Sequence, residues 1–178
     1  MNALKGVAAA LACVTLAACA ELAFMVPAPQ AEFELSGRIA AKFRDQAASG
    51  NLAWRHAADT DEMLITSPLG QGVARIVRQG GEVTLTMPEG GEHRAADAES
   101  LTEQVLGFRL PLAGLADWVR ARPAPGPAQE KRGADGRLAE LEQSGWRIEY
   151  LEYDGMRPVR LRLSYPGVEL RLAVSEWK

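Results

Sequence analysis

The chain has 178 residues, of which 20 are Lys or Arg and 23 are Asp or Glu, and its formal net charge is −3. This length suits one domain with a sizeable core, and the absence of a basic stripe argues against a nucleic-acid partner. No apolar stretch reaches the roughly 20 residues that a transmembrane helix needs.

Residues 1–18 have the pattern of a secretory signal peptide, with Lys5 before a short apolar run at 7–18. The stretch Leu16–Cys19, with sequence LAAC, resembles a bacterial lipobox. The resemblance implies cleavage before Cys19 and lipidation of its thiol, and Ala20 rather than Asp after it implies sorting to the outer membrane. The alternative is a chance cysteine in an ordinary signal peptide. Because Cys13 would leave with the signal and Cys19 would carry lipid, we expect no disulfide.

Residues 19–31 then form the lipidated N-terminus and a short tether, in which Pro27 and Pro29 disfavour regular structure. The folded domain spans residues 32–178. Alternation of apolar and polar residues predicts five strands in its first half, at 33–43, 50–56, 61–66, 72–77 and 83–87.

The periodicity changes at Asp97, which can cap a helix carrying Leu101, Val105 and Phe108 on one side. Pro111 begins a second helical segment, and the proline-rich stretch 123–127 ends it. Period-two patterns return in four further strands, at 138–143, 146–150, 159–165 and 168–174.

Many short strands with tight turns predict a mainly β fold with one antiparallel sheet, apolar on one side and charged on the other. The apolar side must be covered. The sheet can curl on itself while the central helices act as a lid, which would enclose an apolar cavity. The pattern leaves open whether that space is a cavity or a filled core.

No set of residues predicts catalysis or metal binding, and we expect a protein that is not an enzyme and has no cofactor. His56 and His93 belong to no metal-ligand spacing, and each is expected at an exposed strand end. Asp59, Asp61 and Glu62 lack the spacing of a calcium loop and are expected to form a solvated turn.

The turn Pro68-Leu69-Gly70 is unusual because turns generally carry polar residues. Leu69 either folds back onto the core or projects outward. A projecting Leu between Pro and Gly would make a stiff apolar probe, suited to acyl chains or a membrane surface.

The chain resembles the LolB family of outer-membrane lipoproteins. The resemblance rests on an ordered set of stretches along the domain, which are 35–40 (LSGRIA), 49–54 (SGNLAW), 67–71 (SPLGQ), 96–99 (ADAE), 110–112 (LPL) with Leu115 and Trp118, and 145–150 (GWRIEY).

The resemblance implies a single open, incomplete antiparallel β-barrel covered by central helices. It implies a monomeric, lipid-anchored receptor at the periplasmic face of the outer membrane. Such a receptor accepts acylated lipoprotein cargo from the periplasmic carrier LolA and inserts it into the inner leaflet. Pro68, Leu69 and Gly70 would form the membrane-insertion loop. The alternative is a structural lipoprotein that docks into an outer-membrane assembly complex.

The residues expected to line the acyl-chain cavity are the inward-facing apolar side chains of the strands and helices. They are Leu35, Ile39, Trp54, Met63, Ile65, Leu85, Leu101, Val105, Leu115, Trp146, Ile148, Leu161, Leu163, Leu170 and Leu172.

Overall fold

A computed structural model describes residues 30–106 and 109–178, which contain eleven β-strands and two short α-helices. The predicted signal peptide, Cys19, most of the tether and Phe108 lie outside the described residues. Six strands come first: β1 (Phe33–Phe43), β2 (Gln46–Ala57), β3 (Thr60–Thr66), β4 (Gly72–Gln79), β5 (Glu82–Met87) and β6 (Gly91–Ala95). They are followed by α1 (Ala98–Leu106), α2 (Leu112–Trp118), β7 (Gln129–Arg132), β8 (Leu138–Gln143), β9 (Trp146–Asp154), β10 (Arg157–Tyr165) and β11 (Val168–Trp177).

The strands form one antiparallel sheet in the order β6-β5-β4-β3-β2-β1-β11-β10-β9-β8-β7. Each half is a series of consecutive hairpins, and the pairing of β1 with β11 joins the two halves. Within the described residues β6 and β7 do not pair with each other, so the sheet is open. The chain passes between these two edges through α1 and α2.

The two helices cover one face of the sheet. Helix α1 contacts β5 and β6 near one edge, whereas Trp118 at the end of α2 reaches Gln143 in β8 near the other edge. In a flat sheet β5 and β8 would lie about 38 Å apart, yet helices of nine and seven residues are only about 14 and 10 Å long. The sheet therefore curls around the helices, as sheets of more than about ten strands tend to do.

Alternation along each strand decides which face is buried. In β11, Val168, Leu170 and Leu172 are buried, while Glu169 and Arg171 between them face outward. The inner faces of both halves of the sheet join the helices in one hydrophobic core, to which the helices contribute Ala98, Leu101, Leu112, Leu115, Ala116 and Trp118.

The predicted fold class, an open and mainly antiparallel sheet with a helical cover, is confirmed. The edge strands β6 and β7 were not predicted, because their sequences GEHRA and QEKR have no alternating apolar residues. Polar and charged residues on an edge strand oppose pairing with other chains. Strand β2 begins at Gln46 rather than at residue 50. Its first four residues pair with β1, but they are small or polar and show no apolar alternation from which a strand could be predicted.

Candidate functional site

The fifteen residues predicted to line an acyl-chain cavity all lie on the inner face of the sheet or on the covering helices. Twelve are buried, and Ile39, Ile65 and Val105 are partly buried against the same core. Strand register explains how residues distant in sequence meet, since Leu172 in β11 lies between Ile39 in β1 and Leu161 in β10.

The inner face is packed in this conformation. Among the described side chains the expected open apolar cavity is not shown, because these residues form one continuous core with the helices. Movement of part of the helical cover away from the sheet would open this face to a ligand.

Helix α2 is firmly attached to the sheet. The Nε1–H of Trp118 donates to Oε1 of Gln143 at 2.8 Å, and the hydroxyl of Tyr150 donates to the Trp118 carbonyl at 2.9 Å. Gln143 also exchanges two hydrogen bonds with the backbone of Ala124, which fixes the start of the proline-rich stretch. Burial raises the pKa of Tyr150, so its hydroxyl keeps the donated proton.

Helix α1 is held differently. In the part of the chain that the structure describes, no hydrogen bond joins α1 to a strand, and its contacts with β5 and β6 are those of packing. Its start is capped by Asp97, whose carboxylate accepts the Ser100 N–H at 2.6 Å and the Ser100 hydroxyl at 2.9 Å. These hydrogen bonds hold the pKa of Asp97 below its ordinary value, and the one from the Ser100 N–H has the larger effect. Among the described residues, α1 is therefore held to the sheet by packing alone, whereas α2 is also held by hydrogen bonds.

The turn after β3 projects Leu69 into solvent, with 90 % of its surface exposed. Hydrogen bonds close the turn beneath it: the Ser67 N–H donates to the Gln71 carbonyl at 2.7 Å, and the Gly70 N–H donates to the Ser67 carbonyl at 2.9 Å. Gly70 has a φ of 85°, which disfavours a side chain there. Of the two orientations that the sequence left open, the structure has the projecting one.

Two further apolar side chains are exposed on the outer face beside this turn. Leu64 in β3 is 43 % exposed and Val73 in β4 is 47 % exposed. Fully burying an exposed Leu or Val side chain is worth about 1.5–3 kcal/mol, and these two would gain roughly the half that is still exposed. The outer surface next to Leu69 is thus suited to partial insertion into an apolar layer.

A buried polar cluster at the other end of these strands corrects the sequence analysis. Asp61 is completely buried and His56 nearly so. The Asp61 carboxylate accepts hydrogen bonds from Trp54 Nε1 at 2.8 Å, His56 Nδ1 at 2.7 Å and Arg78 Nε at 2.6 Å. The expectation of a solvated turn is wrong for Asp61, and the expectation of an exposed histidine is wrong for His56. The sequence could have indicated this burial, because Asp61 is two residues before Met63 and so faces the same, inward side of β3.

The cluster continues to the start of β1 and the end of α2. The Phe33 ring stacks on His56 with a centroid distance of 5.0 Å, and the Arg120 guanidinium lies 5.1 Å from the centre of the same ring. Arg120 also donates to Glu32 at 2.9 Å, which lowers the pKa of that carboxyl. No pattern in the sequence indicates this role for Arg120, because its partner Glu32 is 88 residues away along the chain.

The fold and these features define a class of protein: an open, curled antiparallel sheet with an apolar inner face under a helical cover and one protruding apolar loop. None of its described helices has the length and hydropathy to cross a bilayer.

Comparison with known proteins identifies the family. The family model of the outer membrane lipoprotein LolB matches residues 31–177. The outer-membrane lipoprotein LolB of Thiobacillus denitrificans is 43 % identical over 168 residues, covering 93 % of this chain and 90 % of the relative. That of Azoarcus sp. is 37 % identical, covering 96 % of this chain and 94 % of the relative. A crystal structure of a LolA superfamily protein from Nitrosomonas europaea has a TM-score of 0.49 and 16 % identity, with 85 % and 87 % of the two chains covered.

The chain belongs to the LolB family of outer-membrane lipoproteins. The resemblance noted in the sequence is thereby confirmed, as is the outer membrane as its location. The family supports the receptor interpretation rather than the docking lipoprotein.

Proposed function

We propose that this protein accepts acylated lipoproteins from the periplasmic carrier LolA, holds their acyl chains against the inner face of its sheet, and releases them into the inner leaflet of the outer membrane. The observation that carries the proposal is Leu69, an apolar side chain held out in water by a hydrogen-bonded turn. No packing contact among residues 30–106 and 109–178 requires this exposure, whereas contact with a membrane would bury the side chain.

The acyl chains of the cargo would enter between the sheet and α1. The inner-face residues around Trp54, Ile148 and Leu161 supply an apolar wall, and α1 is the helix without hydrogen bonds to the described strands. Each methylene buried is worth about 0.8 kcal/mol, so a triacylated cargo would gain enough to offset the displacement of a short helix.

Transfer needs neither a bond-making step nor a nucleotide if affinity for the acyl chains rises from carrier to receptor to membrane. Cys19 would carry the lipid anchor, and residues 20–31 would tether the domain to the bilayer. A single acyl chain binds a membrane only marginally, so the several chains of a lipidated cysteine would keep the receptor in place.

Transfer with purified components tests the proposal. Carrier loaded with a lipoprotein is mixed with residues 20–178 and then with liposomes, and the position of the cargo is followed for the wild type and for Leu69→Glu. We expect both proteins to take the cargo, but only the wild type to deliver it, because a carboxylate enters a bilayer at high cost.

Met156→Glu is the matched control. Met156 is 78 % exposed in the turn between β9 and β10, at the opposite end of the sheet from Leu69. We expect this variant to deliver cargo like the wild type. Normal delivery by a folded Leu69→Glu variant would remove the loop from the mechanism, and failure of the wild type to accept cargo would overturn the receptor function.

A further inference from the structure

A groove of about 470 Å³ crosses the outer face of the sheet, opposite the helices. Small residues form its floor, because Ala40, Ser49 and Ala173 occupy outward positions on β1, β2 and β11. Four arginines surround it: Arg38, Arg160, Arg162 and Arg171. A smaller trough of about 310 Å³ continues it along β1 to Lys42.

These cations are only partly neutralised. Arg160 lies 3.3 Å from Glu152, Arg162 lies 3.3 Å from Glu149, and Arg171 lies 2.7 Å from Glu169. Arg38 and Lys42 are exposed and have no acidic partner among residues 30–106 and 109–178. The groove therefore has an excess of positive charge in a chain whose formal net charge is −3.

One arginine that lines the groove is also incompletely paired. The Nε of Arg162 is the only buried side-chain nitrogen or oxygen without a hydrogen bond in the described part of the chain. It lies 4.0 Å from the nearest oxygen of Glu169, which is beyond hydrogen-bonding distance. Buried unsatisfied donors are uncommon in folded proteins, and a guanidinium is well suited to bidentate contact with phosphate oxygens.

The groove is joined to the Leu69 turn. Pro68 forms part of its wall, and Asn51, also in the wall, donates from Nδ2 to the Ser67 carbonyl at 3.3 Å. The row Arg38–Asn51–Thr66 in the strand register leads directly into the turn. A headgroup layer is only about 5–8 Å thick, so an apolar tip in the hydrocarbon places a neighbouring cationic surface among the phosphates.

We propose that this arginine groove binds the phosphate groups of membrane phospholipids and, with Leu69, orients the protein on an anionic bilayer. The inference rests on the proposed function at Leu69 and extends it to a second, electrostatic site. An acidic protein surface is the competing occupant. It would use the cations but would leave the adjoining Leu69, Leu64 and Val73 without a role.

Vesicle flotation tests the inference with residues 20–178, which include the complete described sheet and its core. The vesicles are either phosphatidylcholine alone or phosphatidylcholine with phosphatidylglycerol, each in low and high salt. We expect the wild type to bind the anionic vesicles on the order of tenfold more tightly in low salt, since each cation at a membrane surface contributes about fivefold. High salt should remove this preference because it screens exposed charges.

Arg38→Glu and Arg94→Glu make the decisive pair. Both reverse one exposed cation and so change the net charge equally, but Arg94 lies on the edge strand β6, where it pairs with Glu92. We expect Arg38→Glu to weaken binding to anionic vesicles on the order of tenfold and Arg94→Glu to change it less than about twofold. Equal losses in the two variants, or equal binding of the wild type to both vesicles, would overturn the inference.

Leu69→Glu separates this inference from the proposed function. We expect it to weaken binding to both kinds of vesicle while the remaining preference for anionic lipid persists. If Leu69→Glu binds like the wild type but Arg38→Glu does not, the insertion role fails and the phosphate site stands. If Arg38→Glu binds vesicles normally but reduces cargo acceptance from the carrier, the groove binds protein and the lipid site is wrong.

Discussion

The indole Nε1–H of Trp54 donates to Oδ1 of Asp61 at 2.8 Å inside the sheet. Trp54 and Asp61 lie diagonally on adjacent strands, since Trp54 is opposite Met63 and His56 is opposite Asp61 in the register. Because a carboxylate only accepts hydrogen bonds, His56 Nδ1 must carry a proton toward Asp61. A charge is thus kept inside an apolar face by three donors, which explains how a strand can be amphipathic and still bury an aspartate.

Removing the Asp61 carboxylate should destabilise the domain severely. Asp61→Ala leaves the largely buried Arg78 and two further donors without their acceptor, and breaking a buried pair in this way costs about 3–5 kcal/mol. Urea denaturation measures the change. Asp59→Ala, in the exposed turn two residues earlier, should stay within about 0.5 kcal/mol of the wild type. Equal effects of the two substitutions would contradict the role assigned to the cluster.

Gly37 should not tolerate a side chain. It lies at an irregularity in the pairing of β1 with β11, where a Cβ would collide with the Ala173 carbonyl. Because the obstacle is backbone, we expect Gly37→Ala to lower the free energy of unfolding by about 2 kcal/mol. Gly72→Ala is the matched control, since a Cβ there meets nothing within 4 Å. Equal stability of the two variants in thermal unfolding would show that β11 can shift freely.

The Arg120 guanidinium should set the titration of Glu32. Its hydrogen bond is the main reason why the pKa of Glu32 lies below its ordinary value of 4.5, so Arg120→Gln should raise that pKa toward 4.5. A lowered pKa in the folded state adds stability above the unfolded pKa, and this is lost as the pH falls through the folded pKa. The wild type should therefore have a higher free energy of unfolding than the variant at neutral pH, and this difference should shrink on acidification. Carboxyl NMR titration measures the pKa, and an unchanged value would refute the interaction.

Weakening the start of α1 should speed cargo uptake. Asp97→Ala removes the cap that Ser100 donates to, and it should increase amide exchange in α1 and the rate of binding of a fluorescent fatty acid. Asp135→Ala is the control, because Asp135 also accepts a backbone N–H but lies in a turn away from the helices. If both variants bind the probe at the wild-type rate, displacement of α1 is not the limiting step.

Acidification should act on α1 in the same direction. The pKa of Asp97 is lowered by its hydrogen bonds to Ser100, so the cap is complete at neutral pH and is lost as the pH falls through that lowered pKa. Amide exchange in α1, corrected for the intrinsic pH dependence, should therefore increase at acidic pH in the wild type but not in Asp97→Ala. Equal pH dependence of exchange in both proteins would show that the Asp97 cap does not control the mobility of α1.

Local sequence determined much of this protein. Period-two alternation predicted nine of the eleven described strands, and the change of period at Asp97 predicted the helices. The Pro68-Leu69-Gly70 turn was also identifiable as unusual before the structure was known. These features depend on neighbours within a few residues, where side-chain direction follows directly from backbone geometry.

Only the tertiary structure decided the partners that are distant along the chain. The pairing of β1 with β11 unites the two halves of the sheet and gathers Arg38, Arg160 and Arg171 around one groove. The three donors to Asp61, and the projection of Leu69 rather than its return to the core, are likewise settled by packing. The physical reason is that periodicity specifies which face of a strand is apolar, whereas the burial of a charge or the exposure of a leucine depends on what the folded chain places beside it.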